Sequence, residues 1–383
     1  MPRGDCFNRG EWAELYVFLH ILGTGKLECA NASMKPSGSS FDVYIVTRED
    51  IVRFPIQYII AGGSVRVMGG GGLYGTFPQG DFWKYALMLK REVIGNSGRS
   101  FPISNALWDF LEKIQVRTPK SRSVGATIGV LSSGGKTDIT IQFSRLYPNI
   151  GSEEKGFSIK AMIGSASTLF NPSSNSSFRF RLDGMTYALA QDINSTMDTH
   201  GNIAIKARME KIRNAHIHAV LLGTVPDPVT GAEVFKTTLA TSSDYFPTLG
   251  KMISLSFFDS SYPTKVKDLS NLMVTKFPLP AHNESTYYPT VIKRFLLDAF
   301  TWLTSSSSTA SATHVNGGYI VVNKDWEVLA YPLADASDFE QYLFDNTFLD
   351  RPSASRYNYA SVMHDSAGFY YIDLCLQVRF TNS

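Results

Sequence analysis

Apolar side chains recur at spacings of three and four through residues 11–22, with Trp12, Leu15, Leu19 and Leu22 along one side. This spacing predicts a helix, stopped by Gly23. A loop containing Gly, Lys and Ser is expected next. The pattern then turns extended: residues 42–46 (DVYIV) and 54–60 are rich in β-branched and aromatic side chains and predict strands. A glycine cluster over 62–75, interrupted by Val65, Arg66, Val67 and Met68, predicts a tight hairpin or a loop whose backbone must approach something closely. Residues 82–94 and 103–114 predict helices. A basic stretch with Arg117, Lys120 and Arg122 follows.

Strict alternation returns at 138–143 (DITIQF), a strand, and at 156–163 (GFSIKAMI), a second strand. Pro148, Asn149 and Gly151 mark the loop between them. Residues 178–182 give a third extended piece. Residues 202–222 are mixed, with a basic helical start (Lys206, Arg208, Lys211, Arg213) and an apolar end, and 288–303 predict a helix. The tract 304–313 consists entirely of Ser, Thr and Ala and has little to bury, so it reads as a loop or linker. Beyond it, 319–322 and 327–331 form a hairpin around Lys324, Asp325 and Trp326. Residues 339–344 are helical, and a closing hairpin over 357–380 turns near Asp365 to Gly368. No internal repeat is visible.

Composition changes this picture little. A chain of 383 residues with 44% hydrophobic and 18% charged side chains has an ordinary globular balance, enough for one large domain or two moderate ones. The formal net charge of +2 does not by itself point to nucleic acid, although a basic groove balanced by acidic surface elsewhere gives the same total. Three cysteines, Cys6, Cys29 and Cys375, form no CxxC pair and are expected to be reduced thiols. The absence of a signal-like start and of an apolar run of about 18 residues predicts a soluble, cytoplasmic protein with no membrane partner.

Several motifs fail on inspection. GVLSSGGKT at 129–137 resembles a phosphate-binding P-loop, but it has five residues before the GK pair where that motif has four. It also runs into a predicted strand where a helix N-terminus is required. His216 and His218 would share a face on a strand, yet no third metal ligand is evident, so they read as partly buried strand or helix histidines. No GxSxG elbow occurs for a Ser-His-Asp hydrolase.

One constellation carries chemistry. Phosphodiester hydrolysis needs an activated water and a counter-charge for the developing negative oxygens, and a divalent metal supplies most of both. Magnesium prefers one or two carboxylates plus substrate phosphate, and a nearby lysine can orient the water. Nucleases of the PD-(D/E)xK type place an Asp near the start of one strand, and an acidic residue two positions before a Lys on the next. Period two puts those last two on one face. Asp138 opens the first strand here, and Ser158 and Lys160 occupy the second, with Ser158 where a carboxylate is usual. Gln142 shares the Asp138 face and is a candidate for orienting water or a metal ligand. Glu11 and Glu14, three apart on the first helix, are candidate carboxylates. The plain alternative makes Asp138 a turn residue, Lys160 a solvated strand lysine and Glu14 a helix decoration.

Four collinear blocks resemble the HpaII family of type II restriction endonucleases: 8–27 (NRGEWAELYVFLHILGTGKL), 134–143 (GGKTDITIQF), 156–180 (GFSIKAMIGSASTLFNPSSNSSFRF) and 317–380. In the last, GGYIVV, FEQYLFDNT, RPSASRY and LCLQVRF carry the likeness. The resemblance implies an α/β (α+β) chain with a PD-(D/E)xK-type nuclease core. A mixed central sheet is flanked by helices, and a further β-rich segment follows at the C-terminus. It implies magnesium-dependent cleavage of double-stranded DNA at a short site such as CCGG, by an enzyme paired with a methyltransferase. Asp138 and Glu14, or Glu11, would hold Mg2+, and Lys160 would be the catalytic lysine; Ser at position 158 is tolerated in relatives. Residues 1–303 would form the catalytic region, 304–313 a linker, and 314–383 a segment of the same domain or of DNA recognition.

The same blocks suggest DNA contacts at Ser165, Ser167, Thr168 and Asn171, and at Arg351, Ser353, Ser355 and Arg356. Arginine can bond a guanine edge twice, while a bland reading makes these surface loops with capping serines. A homodimer is expected, since a two-fold protein matches a palindromic duplex. Two alternatives compete: a DNA-binding protein without cleavage, and an unrelated α/β metabolic enzyme with no affinity for DNA.

Overall fold

The first helix, α1 (Arg9–Thr24), owes its start to a capping box. Asn8 Oδ1 accepts from the Glu11 N–H at 3.0 Å, and the Glu11 carboxylate accepts from the Asn8 N–H at 2.7 Å. Gly25 ends the helix at φ 66°, its N–H donating to Ile21 O, so the stop comes two residues after the expected Gly23. Trp12, Leu22, Ile21 and the whole run from Leu15 to Leu19 are buried, which makes α1 a core helix rather than a surface one.

The structure is a computed structural model that describes residues 6–48, 55–98, 100–116, 139–144, 153–163, 168–173, 176–258, 264–279, 284–301, 303, 316–333, 336–357 and 359–381. The expected basic stretch at 117–122, the loop around Pro148 and the serine tract 304–313 lie outside these residues. The chain divides into two units, Met1–Ser167 with Ser311–Phe339, and Thr168–Ala310 with Glu340–Ser383.

In the first unit, β1 (Lys26–Ala30) and the first part of the long β2 (Pro36–Arg48) occupy the segment expected as loop, while the expected strand 42–46 lies within the rest of β2. KLECA carries no β-branched side chain, so only its pairing partners make it a strand. The antiparallel run β3 (Ile56–Ala61), β4 (Ser64–Gly69) and β5 (Gly72–Pro78) turns twice within the glycine cluster. Gly62 and Gly63 lie at φ 57° and 73°, Gly70 and Gly71 at 57° and 85°. Two-residue turns with both φ values positive match the twist of the flanking strands, and glycine adopts them without strain. Helix α2 (Gln79–Ile94) packs on α1 at Gly23, where a Cβ would lie 2.6 Å from the Trp83 backbone nitrogen. Then come α3 (Asn105–Lys113), β6 (Ile139–Ser144) and β7 (Glu153–Ala161).

The second unit begins with β8 (Thr168–Phe170), β9 (Ser177–Asp183), α4 (Tyr187–Asn194), α5 (Ile205–Asn214) and β10 (His218–Thr224). It continues with α6 (Val234–Leu239), α7 (Tyr245–Phe258), α8 (Val266–Lys276) and α9 (Glu284–Thr301). The chain then returns to the first unit with β11 (Gly318–Val322) and β12 (Val328–Pro332), the expected hairpin. Helix α10 (Ala336–Asp345), β13 (Thr347–Leu349), α11 (Ala354–Tyr357), β14 (Val362–His364), β15 (Tyr370–Cys375) and β16 (Val378–Phe380) complete it.

The fold is mixed α/β. Among the described residues, nine strands of the first unit form one sheet in the order β1-β12-β11-β7-β6-β2-β3-β4-β5. The pairs β7–β11 and β1–β12 are parallel and the others antiparallel. Because β1 also pairs with the first half of β2, the strands from β1 round to β2 close on themselves. The parallel ladders join segments far apart in sequence, so residues 318–332 belong to the interior of the sheet that carries β7.

In the second unit, β10-β9-β15-β14 form an antiparallel sheet and β13-β16-β8 a smaller one. Strand β9 alternates cleanly. Phe178, Phe180 and Leu182 are buried, with Phe178 against Phe235 and Phe246 and Phe180 against Phe258. A buried guanidinium organises one side of this unit. Arg208 donates to the carbonyls of Thr196 (3.1 Å), Ala360 (3.0 Å) and Asn194, and to Ser361 Oγ (3.0 Å). Its charge is stabilised by carbonyl dipoles, and burial lowers its pKa. No helix of the described residues is long and apolar enough to cross a membrane.

Candidate active site

The β6–β7 hairpin sorts its side chains by face. Ile139 lies opposite Phe157, and the ladder runs to Phe143 opposite Glu153. Ile139, Ile141, Phe143, Phe157 and Ile159 join α1 in one hydrophobic cluster. By period two, Thr140, Gln142, Glu154, Ser158 and Lys160 face the other way. The parallel neighbour β11 extends both faces. Ile320 beside Ile159 belongs to the cluster, whereas Tyr319 lies beside Ser158 and Val321 beside Lys160.

Lys160 is half-buried, and its ammonium makes no hydrogen bond or ion pair among the described residues. Ser158 is only 2% exposed, enclosed beside Tyr319, which stacks on Phe339 at 4.8 Å. Helix α1 packs against β7; its Glu14 is half-buried, and the Glu11 carboxylate is engaged in the capping box. Gln142 is less well placed. It pairs with Glu154, six residues before Lys160, or about 20 Å along an extended strand.

Asp138, the residue before Ile139, lies outside the described residues, as do Ser165 and Ser167. Among the described residues no three His, Cys, Asp or Glu side chains come together as a metal cluster. His216, at φ 54°, and His218, at the start of β10, are both exposed rather than partly buried.

The remaining candidates lie in the second unit. Thr168 pairs with Arg379 in the small sheet, and Asn171 is exposed just after β8. Arg351 is half-buried: its Nη2 donates to Ser256 O at 2.6 Å and its guanidinium lies 5.3 Å from the Phe257 ring centre. Burial pulls its pKa down, so much of this side chain is committed to packing. Ser353 Oγ accepts the Arg356 N–H at 3.4 Å and lies 3.0 Å from Ser355 Oγ, which makes the pair a helix start for α11. The Arg356 side chain is exposed.

Sequence reasoning missed Tyr319 as the neighbour of Ser158, since the ladder that joins them bridges about 160 residues and no local signal reports it. It also passed over Arg179 and Arg181 on β9, although an Arg at every second position of RFRLD is visible as an outward-facing pair.

A family model for the HpaII restriction endonuclease matches residues 8–380 of this chain. The chain is similar to the type II restriction enzyme HpaII of Haemophilus parainfluenzae, 28% identical over 382 residues that cover 97% of this chain and 98% of that one. No solved structure matches it at a significant level.

Proposed function

The chain belongs to the HpaII restriction endonuclease family, and from that premise we propose that it hydrolyses phosphodiester bonds of double-stranded DNA at a short specific site, with Mg2+, on a PD-(D/E)xK-type core. The observation that supports this most is Lys160: a half-buried lysine without a partner among the described residues, on the polar face of β7, two residues from Ser158, while the other face of the strand packs into the core that α1 shares. A half-buried amine on that polar face fits a group kept for a phosphate or a water.

In this reading Asp138 and Glu14 hold the metal, with Glu11 left to its helix cap. The bound ion supplies charge for the developing phosphate oxygens and lowers the pKa of its water. Lys160 orients the attacking water and offsets phosphate charge. Ser158, fixed beside Tyr319, offers a hydroxyl near the scissile group, and Gln142 serves further along the same face. Thr168, Asn171 and Arg356, with Ser165, Ser167, Ser353, Ser355 and Arg351, contribute DNA contacts, and the segment 314–383 takes part in recognition. The protein works as a homodimer on a palindromic site, CCGG or a related GC-rich one, beside a methyltransferase that protects the host.

Incubation with unmethylated duplex DNA in magnesium, and then in EDTA, tests this. Discrete magnesium-dependent fragments are expected, and sequencing their ends gives the site. The serine at position 158 in place of a carboxylate favours a second reading, an inactive binder. That reading predicts no fragments in any divalent metal, with DNA binding that weakens as salt rises.

A further inference from the structure

The outward face of β9 carries an arrangement used neither for catalysis nor for the core. Arg179 donates from Nε to Asp373 Oδ1 at 2.8 Å and from Nη2 to Oδ2 at 3.0 Å, and its guanidinium lies 4.2 Å from the centre of the Tyr371 ring. Arg181 repeats the device two residues on. Its Nε and Nη2 donate to the two oxygens of Asp183 at 2.7 and 3.2 Å, and the Phe369 ring centre is 5.8 Å away. In each case the carboxylate occupies the side edge of the guanidinium and an aromatic ring approaches it. The end edge, Nη1 with the outer hydrogen of Nη2, is left without a hydrogen bond among the described residues. Asp373 is 4% exposed, whereas the Arg179 and Arg181 side chains keep 25% and 37% of their surface.

That end edge is two parallel N–H donors, the shape that meets O6 and N7 of guanine in the major groove. Residues two apart on a strand are spaced by about 6.8 Å, close to two base-pair steps at about 3.4 Å each. Charge separates base reading from phosphate clamping. The hydrogen bond from Arg181 holds the Asp183 carboxyl below the usual carboxylate range, so the pair stays ionised and electrically balanced. A balanced pair has little net pull on a phosphate backbone but keeps its directional donors. We propose that Arg179 and Arg181 are specificity-determining residues, reading guanine edges of duplex DNA from the outward face of β9. This rests on the endonuclease reading above.

The test uses the full chain and a pool of random duplexes in calcium buffer, where binding is scored by sequencing the bound fraction, separately from cleavage. Arg181→Lys keeps the charge and loses the fork. The parent is expected to enrich one site. Arg181→Lys and Arg181→Ala are expected to lower the preference for guanine at one position of it by about 10- to 100-fold, with the other positions and the salt slope unchanged. Arg179→Lys, which keeps a cation against buried Asp373, does the same at a second position. Thermal melting of the Arg181 variants at the parental temperature excludes misfolding. Equal weakening on every duplex, with a salt slope reduced by about one, would mean a phosphate contact and overturn the proposal. Unchanged preference, or a parent that enriches no sequence, overturns it as well. Absence of magnesium-dependent cleavage by the parent is a separate result and counts against the endonuclease reading alone.

Discussion

Side chains of the first unit invite two kinds of experiment. Lys160→Ala removes the amine from the polar face of β7 without opening the core, since its neighbours in the cluster lie on the other face. Cleavage is expected to fall by at least about 100-fold, with duplex binding in a gel-shift assay largely kept. Asp138→Ala should behave alike, and full activity in that variant would remove Asp138 from the site. His20 concerns stability instead. It is half-buried on α1, its Nδ1 lies 3.4 Å from the Tyr16 hydroxyl, and its ring meets Trp83 edge-on. Burial, with a smaller push from Lys90, lowers its pKa from 6.5 to about 4. The unfolded chain therefore binds the His20 proton at higher pH than the folded one. Stability is retained above about pH 6.5 and lost as pH falls from there through about 4, by on the order of 3 kcal/mol in all. Urea denaturation at pH 7.5 and 5 checks this; His20→Gln should flatten the difference.

At the scale of elements, Gly23 carries a close contact between α1 and the backbone of α2. A methyl group there meets the Trp83 backbone nitrogen at 2.6 Å and Cα at 2.8 Å. Backbone cannot swing aside as a long side chain does, so Gly23→Ala is expected to cost about 1–3 kcal/mol in denaturant melts. The sequence predicts this residue as the helix stop, yet the helix runs on to Thr24 and the residue is instead an inter-helix contact, because local spacing does not say what presses on a helix. The same limit runs through the rest. α1, β6, β7 and the β11–β12 hairpin follow from periodicity and turn residues. β1 does not, because KLECA has no strand signal until β12 and β2 pair with it. Nor does α7, whose Tyr245–Phe258 sequence buries Thr248, Gly250 and Ser256 beside its apolar residues and so shows no clean helical stripe. At the candidate site, alternation puts Ser158 and Lys160 on one face, but Tyr319 beside them depends on a ladder that composition cannot report.

At the scale of the molecule, the first unit is built from two separated stretches of chain. A fragment ending at residue 303 keeps Lys160 and α1 but lacks β11 and β12, which lie between β7 and β1 in the sheet. It is expected to expose both strand edges, to aggregate on expression and to show no cooperative melting, which circular dichroism and gel filtration check.

The ladder that joins Glu28 to Leu329 also sets a clock. About 300 residues separate the two strands in the chain, so at roughly 5–20 residues per second a ribosome delivers β12 some 15–60 seconds after β1. The strand bearing Lys160 waits about 160 residues, roughly 8–32 seconds at that rate, for its parallel neighbour β11. Order of synthesis thus keeps the nascent polypeptide from completing its candidate catalytic face until β11 has been made.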